Sequence, residues 1–274
     1  MPLRAGDPAR IGGYTLLGCL GEGGMGTVYL GADPAGRPVA VKLLRREYAA
    51  DPGLVARFRA EVAHTRRVVS PHTARVLGSG VTGDGRPYLV TEYIEGISLA
   101  ERVGEAGPLE PALLLETAYG TAAALAAIHA AGLVHRDLKP ANVILSAAGP
   151  RVIDFGIARA LRHATVETLT GEVVGSPGWW APEQVTGGEV TPAADIFAWG
   201  CLVAYAASGI HPFGEGDPLT MAERVVHADP RLGHLPRPLD HLVRRALSRS
   251  PAPRPTAPEI VHTLADAHRR ARWP

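Results

Sequence analysis

The chain has 274 residues, enough to bury one large core or two lobes, and its formal net charge of +1 gives no electrostatic reason to expect nucleic acid or an anionic membrane as a partner. Cys19 and Cys201 have neither metal-ligand spacing nor a disulfide framework, which fits a reducing cytoplasm. The longest uncharged apolar stretch, 196–210, is shorter than the roughly 18 residues of a membrane span, so a buried helix is predicted there.

A glycine-rich stretch near the N-terminus lies between two predicted strands, 14–20 and 28–31. Glycines let backbone N–H groups approach phosphates without a Cβ in the way. The pattern GxGxxG also opens dinucleotide-binding folds, but there a helix follows the glycines. Here the β-prone residues 27–30 and a hairpin turn at 33–36 follow them. The order strand, glycine loop, strand therefore favours a phosphate-binding hairpin.

The predicted elements continue with strands over 37–44, 76–81 and 88–93 and an amphipathic helix over 52–69, in which Glu61 lies. Gly96 marks a boundary, after which the chain is predicted to be mostly helical. A helix predicted over 111–131 is followed by the stretch with the highest density of functional side chains, 135–143.

That stretch reads His-Arg-Asp-Leu-Lys-Pro-Ala-Asn-Val, and Asp154-Phe155-Gly156 follow it closely. Asp137 could remove a proton from a hydroxyl, Asn142 and Asp154 offer hard oxygen ligands for Mg²⁺, and Lys139 could neutralise a transferred phosphoryl group. Of the 28 basic residues only Lys42 and Lys139 are lysine, and Asn142 is the single asparagine. Lysine is a compact ammonium that arginine does not replace well, so this placement has a chemical cause.

These motifs resemble those of the protein kinases, and the likeness extends over nearly the whole chain. The resemblance implies an α+β, bilobal protein kinase fold. Residues 1–94 would form a small antiparallel-sheet lobe with one main helix, and residues 95–274 a larger, mostly helical lobe. Lys139 two residues after Asp137 resembles the serine/threonine kinases. The Met-Gly of the glycine loop, Pro140-Ala141-Asn142 and Ala181-Pro182-Glu183-Gln184 resemble the bacterial eukaryotic-like enzymes among them.

The resemblance implies transfer of the ATP γ-phosphate to Ser/Thr hydroxyls of proteins by a non-specific serine/threonine protein kinase, with Mg²⁺ or Mn²⁺. It makes Asp137 and Lys139 catalytic and assigns the metal to Asn142 and Asp154. The residues it assigns to ATP are Gly21, Glu22, Gly23, Gly24, Met25, Gly26, Val28, Ala40, Lys42, Glu61, Thr91, Glu92, Ile94 and Ile144.

The resemblance also implies a regulatory contact and three structural contacts. Arg136 would meet a phosphate on Thr168 or Thr170, placed there by autophosphorylation. Further implied contacts are a structural pair between Glu183 and Arg254, bracing of the catalytic loop by Asp195, and packing of His135 under Phe155.

Three rival functions remain open. A pseudokinase scaffold would usually lack Lys42, Asp137 or Asp154, and all three are present. A small-molecule phosphotransferase of related fold would typically have Gly in place of Arg136, and an interaction module would not need the glycine loop. We expect protein substrates, no membrane segment in this chain, a cytoplasmic location (alone or as the cytoplasmic domain of a membrane-anchored protein), and room for a homodimer during autophosphorylation.

Overall fold

The structure is a computed structural model, and it describes residues 1–155 and 177–272. These residues form two compact units. The first unit comprises 1–69 and 74–94, and the second comprises 70–73, 95–155 and 177–272.

The first unit is built on a six-stranded antiparallel sheet with the strand order β1-β2-β3-β4-β6-β5. The helix α1, Pro52–Thr65, is accompanied by a 3₁₀ turn at Arg46–Ala50. The strands are β1 Arg10–Ile11, β2 Tyr14–Gly23, β3 Gly26–Ala32, β4 Pro38–Leu44, β5 Val76–Val81 and β6 Pro87–Glu92.

The two faces of this sheet are distinguished by alternation along β4. Val39, Val41 and Leu43 are at most 1% exposed and pack with Tyr29 and Val90 on one face. Because side chains alternate across a strand, the intervening residues of β4 lie on the other face. There Leu44 packs, together with Leu89 of β6, against the apolar stripe of α1, formed by Leu54, Phe58 and Val62.

Helix α1 begins and ends for local reasons. Asp51 accepts a hydrogen bond from the Gly53 amide, and Pro52 occupies the first helical position. The predicted helix over 52–69 is four residues too long. The amides of Arg67 and Val68 bond the carbonyls three residues back, so the chain tightens into a turn after Thr65.

The second unit contains seven α-helices in its described part, α2 to α8, and a three-stranded sheet in the order β7-β8-β9. The strands are Ile97–Ser98, Val143–Ser146 and Gly149–Val152, and 3₁₀ turns lie at Pro140–Asn142 and Pro177–Trp179. The helices are α2 Leu99–Ala106, α3 Pro111–Ala130, α4 Pro182–Val185, α5 Pro192–Ser208, α6 Pro218–His227, α7 Leu239–Ala246 and α8 Ala257–Arg272.

Helices α3 and α5 form the core of this unit. Trp199 of α5 is fully buried and donates its indole N–H to the Ala118 carbonyl of α3 at 3.0 Å, and Tyr119 of α3 stacks on His268 of α8. Within the described ranges α3 is also the one helix long and apolar enough to cross a membrane, but half of its apolar window is buried inside the protein. The buried helix predicted over 196–210 is found in α5, although Ile210, beyond its end, is 62% exposed.

Candidate active site

The loop that follows α3 is held in an unusual backbone conformation. Arg136 and Asp154 are non-glycine residues with φ angles of 68° and 60°. Such a left-handed conformation costs about 1–2 kcal/mol per residue. The buried carboxylate of Asp195 accepts the amides of His135 at Oδ2 and Arg136 at Oδ1, both at 2.8 Å. Hydrogen bonds to a charged group contribute about 1.5–3 kcal/mol each, enough to offset the strain at Arg136. The predicted bracing by Asp195 is confirmed.

His135 is fully buried, and both of its ring nitrogens have backbone partners. Nδ1 accepts the amide of Asp137 at 3.3 Å, and Nε2 lies 3.2 Å from the carbonyl of Ile153. An imidazole with this tautomer has no nitrogen left for a general base. Its ring centroid is 6.4 Å from that of Phe155, so the predicted contact between these residues is confirmed.

The groups with catalytic chemistry are gathered around Asp137. The ammonium of Lys139 lies 2.9 Å from Asp137 Oδ2, and the side-chain nitrogen of Asn142 donates to the Asp137 carbonyl at 2.8 Å and to Oδ2 at 3.3 Å. The side chains of Asp137 and Lys139 are 23% and 24% exposed, so both are reachable from solvent. Because the contacts with Lys139 and Asn142 both use Oδ2, the second oxygen, Oδ1, is the better placed acceptor for an incoming hydroxyl.

The two residues predicted to hold a metal are tied together by the backbone. The amide of Ile153, just before Asp154, donates to the Asn142 carbonyl at 2.9 Å, and β8 pairs with β9 between them. The Asn142 side chain uses its nitrogen for Asp137, which leaves its oxygen as the atom suited to a cation. No group of three or more His, Cys, Asp or Glu suited to a metal occurs in the described ranges. Two oxygen donors from the protein fit Mg²⁺, because this ion usually completes its coordination with water molecules and substrate phosphate oxygens and is seldom bound by protein ligands alone.

In the first unit, strand pairing puts four of the residues assigned to the nucleotide on one face of the sheet. Val28 lies opposite Lys42, and Ala40 lies opposite Thr91. Directly opposed residues of antiparallel strands share a face, and Ala40 and Lys42 are two residues apart. This is the face covered by α1, which carries Glu61. The structure therefore brings these five residues to the same side of the sheet.

The glycine loop closes through a two-residue turn, Gly24-Met25, because Gly23 pairs with Gly26. Gly26 is required by the sheet itself, since a Cβ there would lie 2.1 Å from the Leu43 carbonyl. A Cβ on Gly21 or Gly23 would meet nothing within 4 Å. Packing within the described structure therefore does not explain these two glycines, whereas space for a ligand would.

Arg45 anchors this loop and was not predicted from the sequence. Its guanidinium donates to the Gly23 carbonyl at 3.2 Å, and its amide donates to the Met25 carbonyl at 3.1 Å. A second anchor is Arg4, which pairs with Glu22 at 3.0 Å on the exposed side of the loop.

Three further residues assigned to adenine are Glu92 at the end of β6, Ile94 just beyond it, and Ile144 within β8. The amide of Glu92 donates to the Arg75 carbonyl at 2.8 Å, so an adenine could meet only the carbonyl of Glu92. Ile94 is the last residue of the first unit, and Ile144 lies in β8 opposite Arg151. Thr168 and Thr170 lie outside the described residues, as does Gly156.

Two supporting residues of the second unit were also missed. His129 donates to Asp195, and the side-chain amide of Gln184 donates to the Arg136 carbonyl at 3.4 Å. The predicted pair between Glu183 and Arg254 is confirmed, with N–O distances of 2.6 and 2.9 Å.

Comparison with known proteins gives consistent matches. A family profile described as "Protein kinase domain" matches residues 14–264. Over its full length the chain is 45% identical to a probable serine/threonine-protein kinase, PkwA, of Thermomonospora curvata, and 94% of it is 41% identical to the serine/threonine-protein kinase AfsK of Streptomyces coelicolor. It spans only 36% and 32% of the lengths of these relatives.

Among solved structures, the kinase domain of Mycobacterium tuberculosis PknI matches with a TM-score of 0.70 and 28% identity, and a mutant form of the same domain matches with a TM-score of 0.72. The matches cover 99% of this chain and 100% of those chains. They confirm the fold class predicted from the sequence.

Proposed function

The chain belongs to the protein kinase family, and from this premise we propose that it transfers the γ-phosphate of ATP to serine or threonine hydroxyls of proteins. The observation that carries the proposal is the arrangement of Asp137, Lys139 and Asn142 on a loop fixed by Asp195. The serine/threonine-kinase names of the relatives support the same activity.

Each side chain of this loop has a distinct role in the proposal. Asp137 orients the acceptor hydroxyl and takes its proton through Oδ1. Lys139 leaves Asp137 when the nucleotide is bound and neutralises charge on the transferring phosphoryl group. The Lys139 ammonium and the Asp137 carboxylate are 2.9 Å apart in the structure, so Lys139 must give up this contact to meet the phosphoryl group.

The nucleotide brings the phosphoryl group. Asn142 and Asp154 would hold a divalent cation, which we take to be Mg²⁺, through their oxygens, and the charge that this cation supplies would reduce the negative charge of the phosphates. Lys42, kept in place by Glu61, holds the phosphates, while the backbone of the glycine loop covers them. Ala40, Val28 and Ile144 supply apolar contact to adenine, Thr91 stands behind it, and the backbone of Glu92 and Ile94 bonds its edge.

We further propose that activity rises when Thr168 or Thr170 is phosphorylated by the enzyme itself, within a transient homodimer. A phosphate adds about −1.5 to −2 charge and strong acceptor oxygens, which the guanidinium of Arg136 can bind bidentately. The cytoplasm is the proposed location of the reaction, and proteins are the proposed substrates.

Substitution of the proposed base tests this function. Asp137→Asn should lower kcat for phosphorylation of a general protein substrate by at least about a hundredfold, or about 2.7 kcal/mol of barrier. The KM for Mg·ATP should change little, since Asp137 meets the hydroxyl. Asp240→Asn on the exposed face of α7 is the matched control. Near-normal transfer by Asp137→Asn would contradict the assignment, and transfer to an aminoglycoside in place of protein would favour the small-molecule rival.

A further inference from the structure

We propose that residues 1–7, which we call the strap, position the glycine loop for Mg·ATP, and that Asp7 does so through Tyr29. The hydroxyl of Tyr29 donates to Asp7 Oδ1 at 2.8 Å. Tyr29 lies in β3 directly after Val28, which shares the face of the sheet assigned to the nucleotide. The inference rests on the proposed kinase function and deepens it, because it names residues that set the affinity for Mg·ATP without contacting it.

The glycine loop has irregular support from the two strands that carry it. β2 departs from its register with β3 at Leu17 and again at Leu20, one on either side of the pair Cys19–Tyr29. Such bulges disrupt the ladder locally and bend the strand. Because this pair lies at the base of the glycine loop, a contact that holds both of its members also holds the start of the loop.

The strap contacts both members of this pair. The amide of Cys19 donates to the Met1 carbonyl at 2.9 Å, and the hydroxyl of Tyr29 donates to Asp7. The same carboxylate accepts the Arg4 amide through Oδ2 at 2.8 Å, and the Asp7 amide donates back to the Arg4 carbonyl. The strap therefore holds β2 through its backbone and β3 through one side chain, and its own turn keeps that side chain in place.

The contact between Asp7 and Tyr29 is difficult to replace because Tyr29 is buried. Tyr29 is 3% exposed, and Leu3 of the strap packs against the apolar cluster to which Tyr29 belongs. Burial and the neighbouring Asp7 carboxylate raise the pKa of Tyr29 to about 12, so the phenol keeps its proton and remains the donor. A buried hydroxyl that loses its acceptor is unfavourable, and it would recover a partner by moving β3 or by admitting water.

Gly18 is an independent sign that the strap fits closely against β2. A Cβ on Gly18 would lie 2.7 Å from the Met1 carbonyl oxygen. Apart from the two chain neighbours of Gly18, Met1 is the only residue of the described structure that this Cβ would meet within 4 Å. The strap alone therefore limits the size of the residue at this position.

The consequence for the reaction is a change in nucleotide affinity. The backbone N–H groups of the glycine loop can cover the phosphates only if the loop keeps its place at the end of β2 and β3. When the strap releases Cys19 and Tyr29, the loop loses that support, so Mg·ATP should bind less tightly. Lys139 and Asp137 lie on another element, and transfer from bound Mg·ATP should change less.

A double-mutant cycle isolates the contact between Asp7 and Tyr29. Tyr29→Phe keeps the ring and removes the hydroxyl, and Asp7→Ala removes the acceptor. We expect the KM for Mg·ATP to rise about fivefold in each, and no further in the double variant, with kcat within about twofold of wild type. Asp7→Asn keeps an oxygen that can accept the hydroxyl, so its KM should stay within about twofold of wild type. Asp33→Ala is the control, because Asp33 accepts similar hydrogen bonds at the other end of β3, and it should keep the wild-type KM.

Nucleotide binding without turnover gives a second readout. The Kd of a non-hydrolysable ATP analogue with Mg²⁺, measured by isothermal titration calorimetry, should rise about fivefold in Tyr29→Phe. It should also rise in Gly18→Ala, which displaces the strap and removes no polar group. Gly13→Ala is the matched control and should keep the wild-type Kd, because a Cβ there would lie 4.0 Å from Pro34.

A merely structural role of the strap gives a different pattern. If the strap only stabilised the fold, the variants would unfold at a lower temperature. The KM and the Kd would nevertheless keep their wild-type values wherever the folded protein predominates. That pattern, or additive effects of Tyr29→Phe and Asp7→Ala on the KM, would overturn the inference.

Failure of the proposed function gives another result. A wild-type protein that binds the analogue but transfers no phosphate to proteins would contradict that function, while the Kd values would still decide the role of the strap. A wild-type protein that phosphorylates proteins, together with wild-type Kd values in Tyr29→Phe and Gly18→Ala, would contradict the role of the strap alone.

Discussion

Removal of Glu183 should expose how strongly the second unit depends on one buried ion pair. The guanidinium of Arg254 is fully buried, and each of its five N–H groups has an acceptor. Nη1 and Nη2 each donate to one oxygen of Glu183. The other three acceptors are the carbonyls of Ala193, Ser248 and Arg249, each at 2.9 Å. Glu183→Ala would leave this cation buried with three of its five partners.

The expected loss of stability follows from the number of hydrogen-bond acceptors that Arg254 keeps. Breaking a buried pair by deleting one partner costs about 3–5 kcal/mol, because the remaining charge stays desolvated. Three carbonyls still bind Arg254, and Glu183 is 11% exposed, so water can reach the gap. We therefore expect a loss near the lower end, about 3 kcal/mol of unfolding free energy. That is a large share of the about 5–15 kcal/mol typical of a domain.

Urea denaturation followed by tryptophan fluorescence can measure this loss in the unit concerned. The described tryptophans, Trp179, Trp180 and Trp199, all belong to the second unit, and residues 1–94 contain none. Glu259→Ala is the control, because the pair of Glu259 with Arg245 is exposed and should contribute less than about 1 kcal/mol. The reasoning is refuted if Glu183→Ala loses no more stability than Glu259→Ala.

Two further predictions concern pH and activation. Burial lowers the pKa of His211 to about 4, against the smaller opposing effect of the Gly178 backbone. As the pH falls, the unfolded chain therefore binds the proton before the folded chain does. The neutral, buried imidazole contributes up to about 3 kcal/mol to the free energy of unfolding; this contribution is fully present above pH 6.5 and should be lost as the pH falls towards 4. His211→Gln should flatten that dependence in pH-series urea titrations, whereas exposed His262→Gln should not. Separately, Thr168→Ala/Thr170→Ala should lower kcat and remove the phosphate that mass spectrometry finds after incubation with Mg·ATP; full activity would leave Arg136 without this role.

The longer strands of the first unit, β2 to β6, could be predicted because each has a readable pattern. The apolar residues of β4 alternate, and the glycine loop separates β2 from β3. The two-residue strands β1 and β7 were not predicted, since two residues show no period. Helix α2 had an available signal, the capping box of Ser98 and Glu101, which was not used.

The chemical groups of the site were visible in the sequence, whereas most of their supports were not. Lys139 and Asn142 are rare residue types in this chain, and Asp137 is close to both. His129 contacts a residue 66 positions away, and Gln184 one 48 positions away. No local pattern distinguishes such a histidine or glutamine from an ordinary helical residue, because its role is created by tertiary packing.

The separation between reactive side chains and supporting residues also explains how the catalytic loop can keep a strained backbone. Asp195 accepts the amides of residues 135 and 136, Gln184 donates to the carbonyl of residue 136, and none of these three hydrogen bonds uses the side chain of Asp137 or Lys139. The reactive side chains can therefore exchange partners during a reaction without releasing the loop. Substitutions at the supports should thus alter kcat through geometry, while substitutions at Asp137 or Lys139 should leave the loop in place.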